Sequence, residues 1–285
     1  MGYRFRRGEA PFDGVRRIAC EQYDRALDAL TAGEPDVHDA RKSCKKLRAL
    51  LRLARPALPE EVYRRENAAI RDTARGIAGL RDAEALLEAF DALVGHGGDA
   101  GADVASLRRR LDAAGRDAAP GRAAVRAAEE ALRAGRLRVA DWVPDAGGDE
   151  ADALCRGLAR TYRSGRKRLA AARLDPAAET LHEWRKQVKY HWYHVRLLAP
   201  IDPDTLGPRG DALKTLSDLL GDDHDLAMLD PALAALPAAE LGALPRVLTA
   251  RRETLQASAF ELGESLFADR PKALRRYCRR CWRDG

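Results

Sequence analysis

The segment Val37–Pro56 reads VHDARKSCKKLRALLRLARP, with no glycine and no proline before the one that closes it. This predicts a helix over residues 37–55, which we call the first basic helix. At about 100° per residue, its apolar side chains form a stripe that we expect to be buried. That stripe consists of Val37, Ala40, Cys44, Leu47, Leu51 and Ala54. A second stripe, roughly 140° further round, carries His38, Arg41, Lys42, Lys45, Arg48 and Arg52. A helix that only needed to be soluble would intersperse Glu among these cations.

The same pattern recurs 144 residues later, over residues 181–200, which read LHEWRKQVKYHWYHVRLLAP. We call residues 181–199 the second basic helix. Its matching charged side chains are His182, Arg185, Lys186, Lys189 and Arg196. Downstream the offset becomes 143, which relates Arg71 to Lys214 and Asp82 to Asp225. This internal duplication predicts two similar halves.

Composition and the repeat together predict an all-α fold. Aromatic residues make up only 6% of the 285 residues, and no alternating β-branched run is long enough for a strand. We expect ten to twelve helices in two pseudo-symmetric bundles, about four to six in each, enclosing a basic central groove. The predicted halves cover residues 1–143 and 151–285, joined by a linker over 144–150.

The helix boundaries follow from glycine and proline positions. A first helix is predicted over residues 3–31, and a break near Gly76 or Gly79. In the second half, separate helices are predicted over residues 205–220 and 222–236.

Charge and cysteine content restrict the partner and the compartment. The net charge of +6 is clustered, which indicates an anionic partner. No apolar run approaches the ~18 residues needed to cross a bilayer, and none follows the basic start. We therefore expect no membrane partner. The five scattered cysteines favour a reducing cytoplasm over a disulfide framework.

The cationic stripes suit a linear polyanion better than a single phosphate. Successive turns place the charges about 5–6 Å apart over some 20 Å, whereas one phosphate needs only two or three such groups. Arginine offers paired donors and lysine a point charge. We expect the two stripes to face each other across a shared groove, with further cations in its walls from Arg71, Lys214, Arg163 and Arg166.

The motif H-x-x-R-K-x-x-K, occurring twice and followed each time by an acidic segment (residues 79–86 and 219–229), resembles the CHAD family, the conserved histidine α-helical domain. The resemblance spans residues 8–282. It implies two helical halves around a basic cavity, and an association with inorganic polyphosphate and polyphosphate granules. The anion-binding set that it implies is His38, Arg41, Lys42, Lys45, His182, Arg185, Lys186 and Lys189.

The full set of predicted polyphosphate-binding residues adds Arg48, Arg52, Arg71, Arg163, Arg166, Tyr193, Arg196 and Lys214. The second copy departs from the first where Trp192 replaces Arg48 and Tyr190 replaces Lys46. At these two places we expect weaker binding, or stacking in place of charge pairing. Expected partners are polyphosphate, its granules and enzymes that metabolise it.

Two other functions stay open at this point. A nucleic-acid-binding protein would use the same basic face, but the stripes carry few aromatic side chains for stacking on bases. An enzyme acting on phosphate chains would hold Mg²⁺ with Asp82 and Asp225, or with the segment 222–225, DDHD. Since no nucleophile motif or phosphate loop occurs, and the stripes exclude carboxylates, we predict a binder without catalytic residues, metal or cofactor.

Several residues have a simpler structural interpretation. His38 and His182 are near helix starts, and His191 falls on the apolar side, where a hydrogen-bonded core residue is expected. In the segment 222–225 we expect a helix cap and an arginine-orienting aspartate. Cys278 and Cys281 give only a weak zinc or redox signal. If the paired histidines bind the ligand, binding should strengthen as the pH falls through about 6.5.

Overall fold

The computed structural model describes residues 2–97, 103–116, 121–144 and 148–284, without the side chains of residues 79–84, 97, 114–116 and 284. Part of the predicted linker 144–150 and the carboxylate of Asp82 therefore lie outside the described residues.

The described chain contains twelve α-helices and no strand, which confirms the all-α prediction. They are α1 (Pro11–Thr31), α2 (Val37–Ala54), α3 (Glu60–Gly76), α4 (Gly79–Gly97), α5 (Val104–Arg116), α6 (Arg122–Arg138), α7 (Glu150–Leu174), α8 (Ala178–Leu198), α9 (Pro203–Ala234), α10 (Ala238–Leu241), α11 (Leu244–Leu266) and α12 (Pro271–Asp284). Short 3₁₀ turns follow α2, α6 and α8. The relation of the halves by pseudo-symmetry stays a prediction.

Helix α2, the first basic helix, begins as its sequence requires. Asp36 caps it by accepting a hydrogen bond from the backbone N–H of Asp39 at 2.9 Å. Every residue of the predicted apolar stripe is buried. The cationic stripe is thereby turned away from the core formed with α1 and α7.

Two predicted helix boundaries are wrong. Residues 3–10 are not helical; instead Tyr3 and Phe5 are buried, and the N–H of Phe5 donates to the carbonyl of Leu197. Helix α9 runs unbroken through Gly221, where two helices were predicted. A glycine inside a helix costs only about 1 kcal/mol, and the buried leucines along both parts of α9 outweigh that cost.

The apolar residues form two cores. The larger one joins α1, α2, α3, α6, α7, α8, α12, the first part of α9 and the last part of α11. The smaller one joins α4, α5, α10, α11 and the second part of α9. Both cores contain residues from each predicted half, and the division at residues 144–150 stays a prediction.

The two basic helices meet inside the larger core. The buried ring of His194 on α8 contacts the carbonyl oxygen of Ala49 on α2, with 2.8 Å from Nε2 to the oxygen. Helix α7 crosses α2 so closely that a Cβ at Gly157 would lie 1.9 Å from the carbonyl oxygen of Leu53. These contacts fix how α2 and α8 present their cationic sides.

Candidate anion-binding groove

A groove of about 450 Å³ lies between α2, α3 and α8, and we call it the central groove. Its lining residues are Arg41, Cys44, Lys45, Arg48, Arg52, Arg71, Ala74, Arg75, Ala78, His182, Glu183, Lys186, Gln187 and Tyr190. Seven of these are Lys or Arg, and Glu183 is the one carboxylate among them. The groove therefore gathers cations from both basic helices, and its electrostatic field favours an anion.

The first wall consists of α2 and α3. Arg41 donates to the carbonyl of Ala78, in the short break between α3 and α4, which the sequence predicted near Gly76 or Gly79. Arg48 donates to the amide oxygen of Asn67 at 3.2 Å. These hydrogen bonds hold two guanidinium groups in place and so order the wall before any ligand arrives.

The second wall is the start of α8. Lys186 pairs with Glu183 one turn earlier. The ring of His182 packs against that of His224 on α9, with 4.4 Å between ring centroids. Arg52 reaches across from α2 and lies 4.3 Å from the centre of the Tyr190 ring, so Tyr190 stacks on a cation, as its place in the repeat suggested.

Three buried nitrogen atoms at or beside this groove have no hydrogen-bond partner among the described residues. They are Nε of Arg52, Nδ1 of His182 and Nε of Arg185. A buried polar group without a partner costs free energy, and these three nitrogen atoms carry that cost beside the cationic side chains of the groove.

Burial and neighbouring cations lower two pKa values here. The pKa of His182 falls from 6.5 to about 4, first because of burial and then because of His224, Lys186 and Arg185. The pKa of Lys189 falls to about 8, mainly through burial, then through Arg185 and Lys45. Burial is the main cause in both cases and the neighbouring cations add to it, so a bound anion would favour the charged forms of these two groups.

The structure places the other predicted residues outside the central groove lining, including Arg185 and Lys189, which are half-buried on α8. Lys42 is exposed and pairs with Asp39 at 3.3 Å. It lies near the buried Lys46. Burial, followed by the charges of Arg25, Lys42 and Arg196, lowers the pKa of Lys46 to about 8. Arg196 is exposed, 5.1 Å from the centre of the Trp192 ring.

The remaining candidates are more scattered. His38 and Arg163 are exposed on α2 and α7. Lys214 on α9 pairs with Asp218 at 2.6 Å. Arg166 donates to the backbone carbonyl of Asp269, next to α12. Tyr193 is buried against Tyr3, 5.7 Å between ring centroids, and is part of the core.

Two side chains at the groove were missed from the sequence. Arg75 lines it from α3, and its spacing of four residues from Arg71 was the available signal. His224 was read only as part of the acidic segment 222–225. Its stacking on His182 depends on how α9 packs against α8, which no local pattern shows.

The structure confirms only part of the simpler structural interpretations of His191 and of segment 222–225. His191 is buried, as predicted, but neither ring nitrogen has a hydrogen-bond partner among the described residues. Segment 222–225 does not cap a helix, since it lies inside α9. There Asp223 is buried and accepts hydrogen bonds from Arg252 and Gln256 of α11, at 3.0 and 2.8 Å.

Cys278 contacts a different cysteine from Cys281, the one considered in the sequence. The sulfur atoms of Cys278 and Cys155 lie 2.6 Å apart, both as buried free thiols. Within the described residues, no cluster of three or more His, Cys, Asp or Glu side chains could hold a metal ion.

Comparison with known families decides the classification. A family model described as the CHAD domain matches residues 17–234, which is most of the chain and includes both basic helices. The chain belongs to the CHAD domain family.

Two solved structures share this fold. PptA from Streptomyces chartreusis has 16% sequence identity and a TM-score of 0.61, over 91% of this chain and 98% of that one. The CHAD domain from the plant Ricinus communis has 19% identity and a TM-score of 0.57, over 90% of each chain. No curated protein matches the sequence. No described helix has the length and apolar content for crossing a bilayer.

Proposed function

We propose that this chain binds inorganic polyphosphate in the central groove, as a binding protein without catalytic activity. The observation that carries the proposal is the convergence of cations from α2, α3 and α8 on one groove with a single carboxylate. Polyphosphate binding is also the known role of the CHAD family.

The groove suits a flexible chain of phosphates. Its guanidinium and ammonium groups come from three helices and are arranged around a volume of about 450 Å³, so one ligand touching all three helices must itself be extended and multiply charged. The guanidinium groups of Arg52 and Arg75 match the paired oxygens of phosphate groups, whereas Arg71 already donates two hydrogen bonds to Asp72. His182 and Arg185 lie beside these groups, and each has a buried nitrogen without a partner among the described residues.

A nucleic acid offers the same charge, but the groove lining favours polyphosphate. Tyr190 is the one Phe, Tyr or Trp in the lining, and Arg52 covers one face of its ring. Nucleobases would therefore find little surface to stack on in this groove, and stacking usually supplements charge in binding of single strands.

Competition binding tests the proposal. Long-chain polyphosphate should displace fluorescent single- or double-stranded nucleic acid at concentrations at least about tenfold lower than unlabelled nucleic acid does, at ~150 mM salt, with a steep salt dependence. Equal competition by both polymers would reject the specificity.

The absence of catalysis is tested separately. The alternative enzyme would use carboxylates such as Asp222 and Asp225 on α9 to hold Mg²⁺. We expect no phosphate release from polyphosphate after incubation with Mg²⁺ or Mn²⁺. Release that Asp225→Ala abolishes would make the protein an enzyme.

The cellular role proposed here follows from binding alone. A protein that holds polyphosphate without cleaving it can attach to polyphosphate granules in the cytoplasm or bring the polymer to an enzyme that metabolises it. Co-sedimentation with isolated granules, lost on charge reversal in the groove, is the expected result.

A further inference from the structure

A second concentration of positive charge lies where α12 begins, beyond residue 234, where the family match ends. A pocket of about 670 Å³ is formed there by the turn before α12 and the first turns of that helix. Its lining residues are Ala268, Asp269, Arg270, Lys272, Ala273, Arg275, Arg276 and Arg279. We call it the α12 pocket. Five of these eight residues are cations and one is a carboxylate.

Part of this charge is held in place by Asp152, a buried carboxylate on α7. Arg275 donates two hydrogen bonds to its carboxylate oxygens, at 3.0 and 2.7 Å. Guanidinium nitrogens of Arg279 and Arg156 lie 3.2 and 2.5 Å from the same carboxylate. These guanidinium groups hold the pKa of Asp152 below its ordinary value. Since three positive charges surround one negative charge, the cluster keeps an excess of about two positive charges while two of its arginines are fixed in the pocket wall.

The pocket rim is preorganised as well. The carbonyl of Asp269 accepts hydrogen bonds from Tyr162 at 3.1 Å and from Arg166, both on α7. This anchors the turn that carries Arg270. By contrast, Arg270, Lys272 and Arg276 are exposed and form no ion pair with any described residue. The pocket thus combines a fixed cationic wall with three unpaired cations.

We propose that the α12 pocket is a second site for a short stretch of phosphate chain, separate from the central groove. Arg270 and Arg276 offer forked donors to phosphate oxygens, while Arg275 and Arg279, which are paired with Asp152, add net positive charge. The pocket is larger than the two or three contacts of a single phosphate require. The lining contains no aromatic side chain, so nucleobases have nothing to stack on. The site accepts tripolyphosphate and the equivalent segment of a longer chain.

Isothermal titration of the full chain with tripolyphosphate tests this site. The test variant is Arg270→Glu with Arg276→Glu, and the matched control is Arg280→Glu with Arg283→Glu. Both variants reverse two exposed charges on or beside α12, but Arg280 and Arg283 are outside the pocket lining. Circular dichroism and thermal melting establish that both variants fold.

Both pairs of substitutions are also placed in a protein that carries Lys45→Glu and Lys186→Glu, which strongly weaken phosphate binding in the central groove. In that background tripolyphosphate should still bind at one site. The α12 pocket variant should weaken this binding at least about tenfold, since each lost charge-assisted hydrogen bond is worth about that factor. The control should change it less than twofold.

The outcomes separate this proposal from the function of the groove. The proposal for the α12 pocket is overturned if tripolyphosphate does not bind in the groove-variant background, or if both pairs of substitutions weaken its binding equally. Displacement of tripolyphosphate from the pocket by single-stranded RNA, or by vesicles of anionic phospholipid, at lower phosphate concentration also overturns it. If the groove variant binds polyphosphate like the wild type while the α12 variant does not, the groove proposal fails and the α12 pocket stands.

Discussion

Arg41 and Arg185 occupy equivalent places in the two basic helices, but the structure holds them differently. Arg41 donates to the carbonyl of Ala78, where the chain breaks between α3 and α4. The equivalent of Ala78, at the offset of 143, is Gly221, where α9 continues without a break. A Cβ at Gly221 would lie 3.5 Å from Nη2 of Arg185, whose buried Nε has no hydrogen-bond partner among the described residues.

This difference shows how a duplicated charge pattern acquires two roles. In the first half the broken helix provides a backbone carbonyl for its arginine, which becomes part of the wall. In the second half α9 continues unbroken at this place, and the Nε of Arg185 has no hydrogen-bond partner among the described residues. The repeat therefore preserves the positive charge, while the neighbouring helix decides whether a backbone carbonyl holds the arginine. We propose that Arg185 instead serves binding.

The largest effect is expected from reversing one charge on each basic helix. Lys45→Glu and Lys186→Glu should each weaken polyphosphate binding about tenfold, and together about a hundredfold, because each removes a phosphate contact and adds repulsion. Fluorescence titration with long-chain polyphosphate measures this. Arg126→Glu, an exposed site on α6, changes net charge equally and should have little effect. Equal losses in all three single variants would mean that only net charge matters.

The comparison of the two arginines is sharpened by Arg41→Gln and Arg185→Gln. Arg41→Gln should lower the free energy of unfolding by about 1 kcal/mol, since it loses the hydrogen bond to Ala78. Arg185→Gln should leave that free energy nearly unchanged but weaken polyphosphate binding about tenfold. Thermal melting and titration of both variants measure this. If Arg41→Gln weakened binding and Arg185→Gln lowered the free energy of unfolding, the comparison of the two arginines would be wrong.

Much of this arrangement could be predicted from the sequence. The apolar stripe of α2, the cationic stripe and the duplication placed Arg41, Lys45, Arg48, Arg52, His182 and Lys186 in one groove, and the structure brings these six together. Periodicity could do this because a regular helix fixes which side chains share a face.

Features that depend on tertiary packing could not be predicted in this way. The continuity of α9 through Gly221 depends on its own buried leucines, which pack in a helix that contacts α8 and α11. The local glycine content predicted a break instead. Tyr193 follows Trp192 in a cationic helix, yet it turns into the core against Tyr3. The contact of the His182 ring with that of His224 likewise depends on how α8 and α9 pack.

A smaller effect is expected from pH. Because burial and the facing groups His224, Lys186 and Arg185 lower the pKa of His182 to about 4, with Glu183 opposing them, the ring is neutral at pH 7. The stability that this neutral ring confers is present above pH 6.5 and is lost as the pH falls towards 4. A bound polyanion favours the charged ring, so affinity should rise severalfold over the same interval, below the window first predicted.

Titrations at pH 7 and pH 5 compare the wild type with His182→Gln. The variant should lose most of the gain in affinity at pH 5, and the wild type should take up a proton on binding, seen as a dependence of heat on the buffer. An identical pH response in both proteins would remove His182 from the binding site.

At alkaline pH a still smaller change is expected from Lys189. Its pKa of about 8 means that it begins to lose charge just above neutrality, and a polyanion should hold it charged. Affinity should therefore fall from pH 7 to pH 9 in the wild type, and less so in Lys189→Met. A steeper fall in the variant would contradict this.

Lysine footprinting tests the central claim most directly. An amine-reactive acetylating reagent, with mass spectrometry, would report the reactivity of each lysine during titration with long-chain polyphosphate. The groove account predicts that Lys45 on α2 and Lys186 on α8 are protected together, at the same polyphosphate concentration, while exposed Lys167 on α7 keeps its reactivity. Protection of only one of the two helices, or of neither, would contradict a shared groove.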